Sequence, residues 1–181
     1  MIEPTESELQ KAAENDGEML DLLDASGNVV GVVQRAKVHG NPALRHPSVH
    51  VFVVNSKSEY YLQKRSHYKK IQPDKWDASV GGHIPAGETY EQGALRELQE
   101  ELGVALDDAS RLERHHDFVW ATDFETEHTR TFILRHEGPF HPSPAEVSDG
   151  RFWTAEELKA AYGTGIFTPN LELELRQMGV C

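Results

Sequence analysis

Apolar residues in this chain fall mostly into short runs separated by glycine, proline, asparagine, aspartate and serine, a pattern that predicts strands more often than long helices. EMLDLLDASGNVVGVVQRAKV, residues 18–38, reads as two apolar strands joined at Ser26, Gly27 and Asn28, residue types that permit a tight turn. SVHVFVVN (48–55) and EYYLQKRS (59–66) form a second pair around the polar turn at Ser56 to Ser58. WDASVGGH (76–83), HHDFVWATD (115–123) and HTRTFILRH (128–136) predict three further strands, and EGPFHPSPAEVSDG (137–150), with its prolines and glycines, predicts a long loop.

The period changes after residue 88. Ala94, Leu95, Leu98 and Leu102 lie on a single stripe at about 100° per residue, so the segment is an amphipathic helix with that stripe turned to the core. Thr89 with Gln92 three residues on predicts a capping box at its start, and Gly103 a left-handed stop at its end. Thr154 with Glu157 predicts a second capped helix through EELKAAY, and Thr168 followed by Pro169 opens a third, LELELRQM. No internal repeat is visible. Strands that outnumber helices without regular alternation give an α+β class with a mixed sheet, and the absence of a dinucleotide-binding glycine fingerprint after the first strand disfavours a Rossmann fold.

Composition narrows the picture. The 181 residues, 38% hydrophobic, suit one domain, taken as 18–181 behind a flexible acidic tail, 1–17. No apolar run has the length of a bilayer span, and the N-terminus is acidic where a secretory signal would be basic and then apolar, so the expectation is a cytoplasmic protein with no membrane partner. The single cysteine, Cys181, excludes intrachain disulfides and a thiol-rich zinc site. A formal net charge of −12 argues against binding nucleic acid. Against that background Lys64, Arg65, Lys69 and Lys70 stand out, either as a seat for a small anionic ligand or as a solvated basic loop.

The candidate chemistry lies in GGHIPAGETYEQGALRELQEELGV, residues 81–104. Glu97, Glu100 and Glu101 are neighbours on one side of the helix, where each like-charge pair costs roughly 0.2–0.5 kcal/mol, and Arg96 alone does not offset three of them. Glu88 enters from the preceding loop. Converging carboxylates are what a hard divalent cation requires, and a few of them on a helix beside phosphates suit Mg2+ better than Ca2+, with Mn2+ as an alternative.

The spacing adds to the charge. Gly82, five residues, Glu88, seven residues, Arg96-Glu97-Leu98, one residue, Glu100-Glu101, one residue, Gly103-Val104 resembles the Nudix box at every position. The resemblance to Nudix hydrolases implies an α/β/α sandwich with a central mixed sheet and a catalytic loop-helix-loop, cleaving a diphosphate bond in a nucleoside diphosphate derivative. By position it implies Glu97, Glu100 and Glu101 as metal ligands, Glu88 and Arg96 as the groups that orient them, and Gly82 and Gly103 as loop formers. For the general base it leaves open Glu100, Glu101 and Glu146, the last on the proline-rich loop, where it is equally well an ordinary surface glutamate.

From about Leu20 to Val104 the chain also resembles the isopentenyl diphosphate isomerase branch of the same superfamily, and its hydrolase-type relatives most. That resemblance implies a diphosphate grip by Arg35, Arg65 and Lys69, and metal-binding histidines at His39, His46 and His83, which otherwise read as loop histidines making hydrogen bonds. Two departures count against isomerase chemistry. Gly81 stands where the isomerases carry a catalytic cysteine, and their downstream acidic pair aligns loosely with His128 and Arg130. Trp76, Phe118 and Trp120 are shaped to stack a base, but aromatics in the strands of a small domain more often belong to the core, and none is expected as a substrate contact. The expectation is therefore a metal-dependent hydrolase of a small-molecule diphosphate, with an isomerase-like enzyme or a noncatalytic diphosphate-binding module as alternatives and a homodimer left open.

Overall fold

The computed structural model describes residues 17–181, so the acidic tail read from the sequence lies almost wholly outside the described residues. The first hairpin forms as expected: β1 (Met19–Leu23) pairs antiparallel with β2 (Val29–Gln34). Asp24 closes its turn by accepting the backbone N–H groups of Ser26 and Asn28 on one carboxylate oxygen at 2.8 and 2.9 Å. A single helical turn, α1 (Arg35–Val38), leads from there to the main sheet.

Every residue of β3 (His46–Val54) is buried, which makes it the central strand. It runs parallel to β8 (Thr126–Arg135), whose far side pairs with β7 (Leu112–Ala121). Its other side is shared. Val53 and Val54 pair with β4 (Tyr60–Arg65), whereas Ser48 to Val51 pair with β6 (Val80–His83). Two strands that leave one neighbour at different heights must diverge, and the gap between β4 and β6 is where the site is built. β5 (Trp76–Asp77) and β9 (Val147–Trp153) complete the sheet, both against β4.

Alternation along β3 divides the core into two layers. Val49, Val51 and Val53 face Ala94, Leu98 and Leu102 of α2 (Tyr90–Leu102). Phe52 faces the opposite way, onto Leu158 of α3 (Ala155–Ala161) and Leu171 and Leu175 of α4 (Pro169–Gln177). The result is the expected α/β/α sandwich on a mixed sheet. Each fully buried leucine or valine in these layers contributes about 1.5–3 kcal/mol of transfer free energy.

All three helix starts follow the sequence. Thr89 and Thr154 each head a complete capping box, Thr168 accepts the N–H of Leu171 ahead of Pro169, and Gly103 ends α2 at φ 68°. Two strand expectations are corrected. WDASVGGH is two strands, because the buried Ser79 hydroxyl donates to the carbonyl of Tyr61 and accepts the N–H of Val53, turning the chain from β4 towards β3. The stretch from Val147, read as the end of a loop, is β9. Its Gly150 is a packing glycine, since a β-carbon there would overlap the hydroxyl of Tyr61.

Candidate active site

The helix carboxylates divide into two groups. Arg96 gathers the first: it donates to Glu88 at 3.3 Å, Glu97 at 2.7 Å and Glu100 at 3.1 Å, and also to the carbonyl of His83 at 3.0 Å. One guanidinium thus fixes the box loop, β6 and α2 to each other, and Glu88 converges on the helix as its spacing implied. Glu97 lies directly beneath Gly82, in the space a side chain there would occupy.

Glu101 belongs to the second group. It is buried, and its Oε2 accepts from Gln63 of β4 at 2.9 Å and from the backbone of Gly81 on β6 at 3.1 Å, so it spans the gap between the diverging strands. Burial raises both carboxyls, Glu97 to about 7 against the pull of Arg96 and Glu101 to about 8 with the charge of Glu97 adding to it. Glu146 of the proline-rich loop adds to the negative field on both and is ion-paired with Lys69. The two carboxyls thus resist ionisation side by side.

A cavity of about 640 Å³ opens on the other side of Gly81 and Gly82. Arg35, Arg65 and Lys69, the three expected phosphate-binding residues, all line it. Each also meets a carboxylate: Arg35 pairs with Glu18 at 3.3 Å, Arg65 with Asp77 at 3.0 Å, and Lys69 with Glu146. Trp120 is on the cavity wall as well, while Trp76 packs against Trp153 with ring centres 5.1 Å apart.

His39 and His83 line the same cavity, and His46 is buried against His83 with ring centres 4.9 Å apart. His46 Nε2 and His83 Nε2 stand 3.6 and 3.1 Å from one oxygen of Glu127, and the three ligand atoms lie within 4.8 Å of one another. His39 Nε2 is 3.7 Å from Glu125. His46 Nε2 is buried with no hydrogen-bond partner, as a nitrogen reserved for a ligand would be. Burial drives His83 down to about 4, burial of His46 is outweighed by Glu127, which raises it, and the two neighbouring imidazoles hold Glu127 well below the usual carboxylate range despite its own burial. A neutral imidazole beside an ionised carboxylate is the protonation state that metal ligation needs.

Neither His128 nor Arg130, where the sequence resemblance loosely put an acidic pair, lines the cavity. His128 packs at the first hairpin near Gly27, and Arg130 is held by Asp117, Glu91 and the ring of Tyr90. The acids that line the cavity beside the histidines are Glu125 and Glu127. Parallel pairing places Glu127 directly across from His46, and an offset of two keeps Glu125 on the same face. That offset was the available signal; Glu174, a further buried acid beside the cavity, gave none.

The sandwich, the box and the acids beside a cationic cavity define a hydrolase of the pyrophosphate-cleaving class. The model of the NUDIX domain matches residues 44–171, and the chain belongs to the Nudix family. A Nudix hydrolase of Deinococcus radiodurans is 33% identical over 154 residues, covering 82% of this chain and 85% of that one. An isopentenyl-diphosphate Delta-isomerase of Brevibacterium linens is 33% identical over 148 residues, 80% of this chain and 81% of its own. Among solved structures, DR0079 from Deinococcus radiodurans superposes with a TM-score of 0.73 at 30% identity, covering 88% of this chain and 98% of that one.

Proposed function

We propose that the protein hydrolyses the diphosphate bond of a small molecule, a nucleoside diphosphate derivative, with Mg2+ held by Glu97, Glu100 and Glu101. The observation that carries this reading is Glu101, buried across the gap between β4 and β6 with Glu97 beside it and a cationic cavity beyond Gly81. The ion would neutralise phosphate oxygens and lower the pKa of the attacking water. Arg96 keeps Glu88, Glu97 and Glu100 converged while Gln63 and the Gly81 N–H hold Glu101, Arg35, Arg65 and Lys69 orient the diphosphate through charge-assisted hydrogen bonds, and Glu146, paired with Lys69, takes the proton of the attacking water. His46, His83 and Glu127 supply a nitrogen-rich donor set, better suited to Mn2+ or another transition metal than to Mg2+.

The test is a screen for Mg2+-dependent phosphate or nucleotide release across nucleoside diphosphates, nucleotide sugars, dinucleotides and coenzymes, run beside Glu100→Gln and Glu101→Gln. Wild type turns over at least one compound and each variant falls steeply. Undiminished activity in both variants would move the chemistry elsewhere.

The histidines and the acidic pair favour a second reading, an isoprenoid diphosphate as ligand, because they match the isomerase-like set more fully than the sequence alone suggested. Gly81 still lacks the thiol that double-bond migration would use. Conversion of isopentenyl diphosphate to its isomer without phosphate release would replace the first reading with this one.

A further inference from the structure

His50 is the one histidine on β3 that faces the cavity outside the His46–His83 group. It sits in a row across three strands on the α4 side of the sheet, with Gly81 of β6 on one flank and Thr131 of β8 on the other. Glu174 descends from α4 onto this row. One of its carboxylate oxygens is 2.5 Å from His50 Nδ1, and the other accepts the Thr131 hydroxyl at 2.5 Å. Glu174 is fully buried, and His50 is only 6% exposed.

The remaining edge of the imidazole is turned to Gly81. A β-carbon at position 81 would stand 3.0 Å from His50 Cδ2 and 3.2 Å from Nε2, closer than side chains normally approach. Glycine at this position therefore leaves a recess above the strand, and Nε2 forms its wall. The N–H of the same glycine is bonded to Glu101, so the recess adjoins the carboxylate that would hold the ion. Thr168 and Asn170, at the start of α4, close the opposite side of the cavity.

A buried carboxylate with no lysine or arginine against it is expensive unless its partner carries the positive charge. Burial opposes a charged His50, but Glu174 outweighs it and raises the imidazole to about 9, so that at neutral pH both ring nitrogens are donors. Nδ1 is taken by Glu174. The proton on Nε2 has the recess in front of it.

We propose that His50 is a substrate-binding residue whose Nε2–H donates to an anionic phosphoryl oxygen seated over Gly81, with Glu174 and Thr131 as the positioning residues that fix the ring. This deepens the proposed hydrolase reading and rests on it. Arg65 and Lys69 reach the cavity from the loop end of β4 and beyond it, already paired with Asp77 and Glu146, whereas His50 contributes a donor from the floor of the sheet and so sets how deep a phosphoryl group descends.

The experiment uses the full chain with inorganic pyrophosphate and Mg2+ as the probe. Binding is followed by calorimetry for wild type, His50→Gln, His50→Phe and Glu101→Gln, and the wild-type imidazoles are followed by nitrogen NMR on protein labelled at histidine, with His50→Gln supplying the assignment. The expected result is a shift of the His50 Nε2 resonance on adding pyrophosphate and an affinity about tenfold lower in His50→Gln and lower still in His50→Phe, in keeping with loss of one charge-assisted hydrogen bond. An unmoved His50 resonance in wild type that does bind pyrophosphate overturns the inference even if both variants fold poorly. If Glu101→Gln loses binding while the His50 variants keep it, only this inference fails; if wild type binds no pyrophosphate, or Glu101→Gln binds as wild type does, the hydrolase reading fails with it.

Discussion

Glu97 and Gly82 share one volume: a β-carbon on residue 82 would lie 2.1 Å from Oε1 of Glu97. Gly82→Ala must therefore push the carboxylate off its seat while leaving the helix and its hydrophobic stripe intact. A displacement of about 1 Å at a reacting centre costs on the order of 100-fold in rate. The expected outcome is a loss of that size in kcat with a small change in Tm, measured by phosphate release and thermal melting. Full activity in Gly82→Ala would show that Glu97 is not held where the reaction needs it.

Glu101 is expected to oppose stability in the metal-free protein while serving the proposed reaction. Its burial lifts its carboxyl to about 8, so at pH 8 without a cation the fold carries the cost of a poorly solvated group. Glu101→Gln removes that cost and is expected to raise the stability of the metal-free protein by about 1 kcal/mol at pH 8 while abolishing catalysis. At pH 5, where the native carboxyl is protonated, the two proteins should melt together. Chemical denaturation at both values tests it.

The same groups set a pH dependence. Glu97 and Glu101 have folded values of about 7 and 8 against 4.5 for the free side chain, and His50 about 9 against 6.5. In each case the folded state binds the proton more tightly, so their contribution is complete below the unfolded value and is lost as pH rises through the folded one. Between pH 6.5 and 9 the metal-free protein should lose stability steadily. Millimolar Mg2+ should flatten the curve by replacing the protons; an identical slope with and without the ion would speak against occupancy of these glutamates.

The His46–His83–Glu127 group predicts a second class of metal. Protein loaded with Mn2+ and freed of excess should retain the ion by elemental analysis, and His83→Ala should weaken retention by at least the roughly 10- to 100-fold that loss of an outer-shell partner alone can cost. Equal retention in His83→Ala would leave His46 Nε2 as an unexplained buried nitrogen.

Gly81→Cys, the change that would restore a thiol, meets His50. Overpacking of this kind costs about 1–3 kcal/mol, and His50→Ala should relieve part of it, so the double variant is expected to lose less stability than the two single losses combined. Additive losses would mean that the recess is wider than it measures.

The elements whose signals are local were legible in the sequence: the capping boxes at Thr89 and Thr154, the stop at Gly103 and the turn at Asp24 each depend on residues a few positions apart. The box glutamates were legible because spacing alone carries them. What escaped depends on contacts distant in the chain. Gly150 looked like a loop glycine until Tyr61 packed over it, and the acids at 125 and 127 acquired their meaning from a parallel strand pairing about 80 residues away. His50 carries no signal of its own, because nothing near it in sequence foretells Glu174.

The placement of α4 has a bearing on how the protein matures. Its helix delivers Glu174 to the floor of the site and Thr168 and Asn170 to the wall, although the glutamate box is made some 70 residues earlier. A nascent chain emerging from the ribosome would thus expose the acid-rich segment first and gain the cavity wall at Thr168 and Asn170 only with α4.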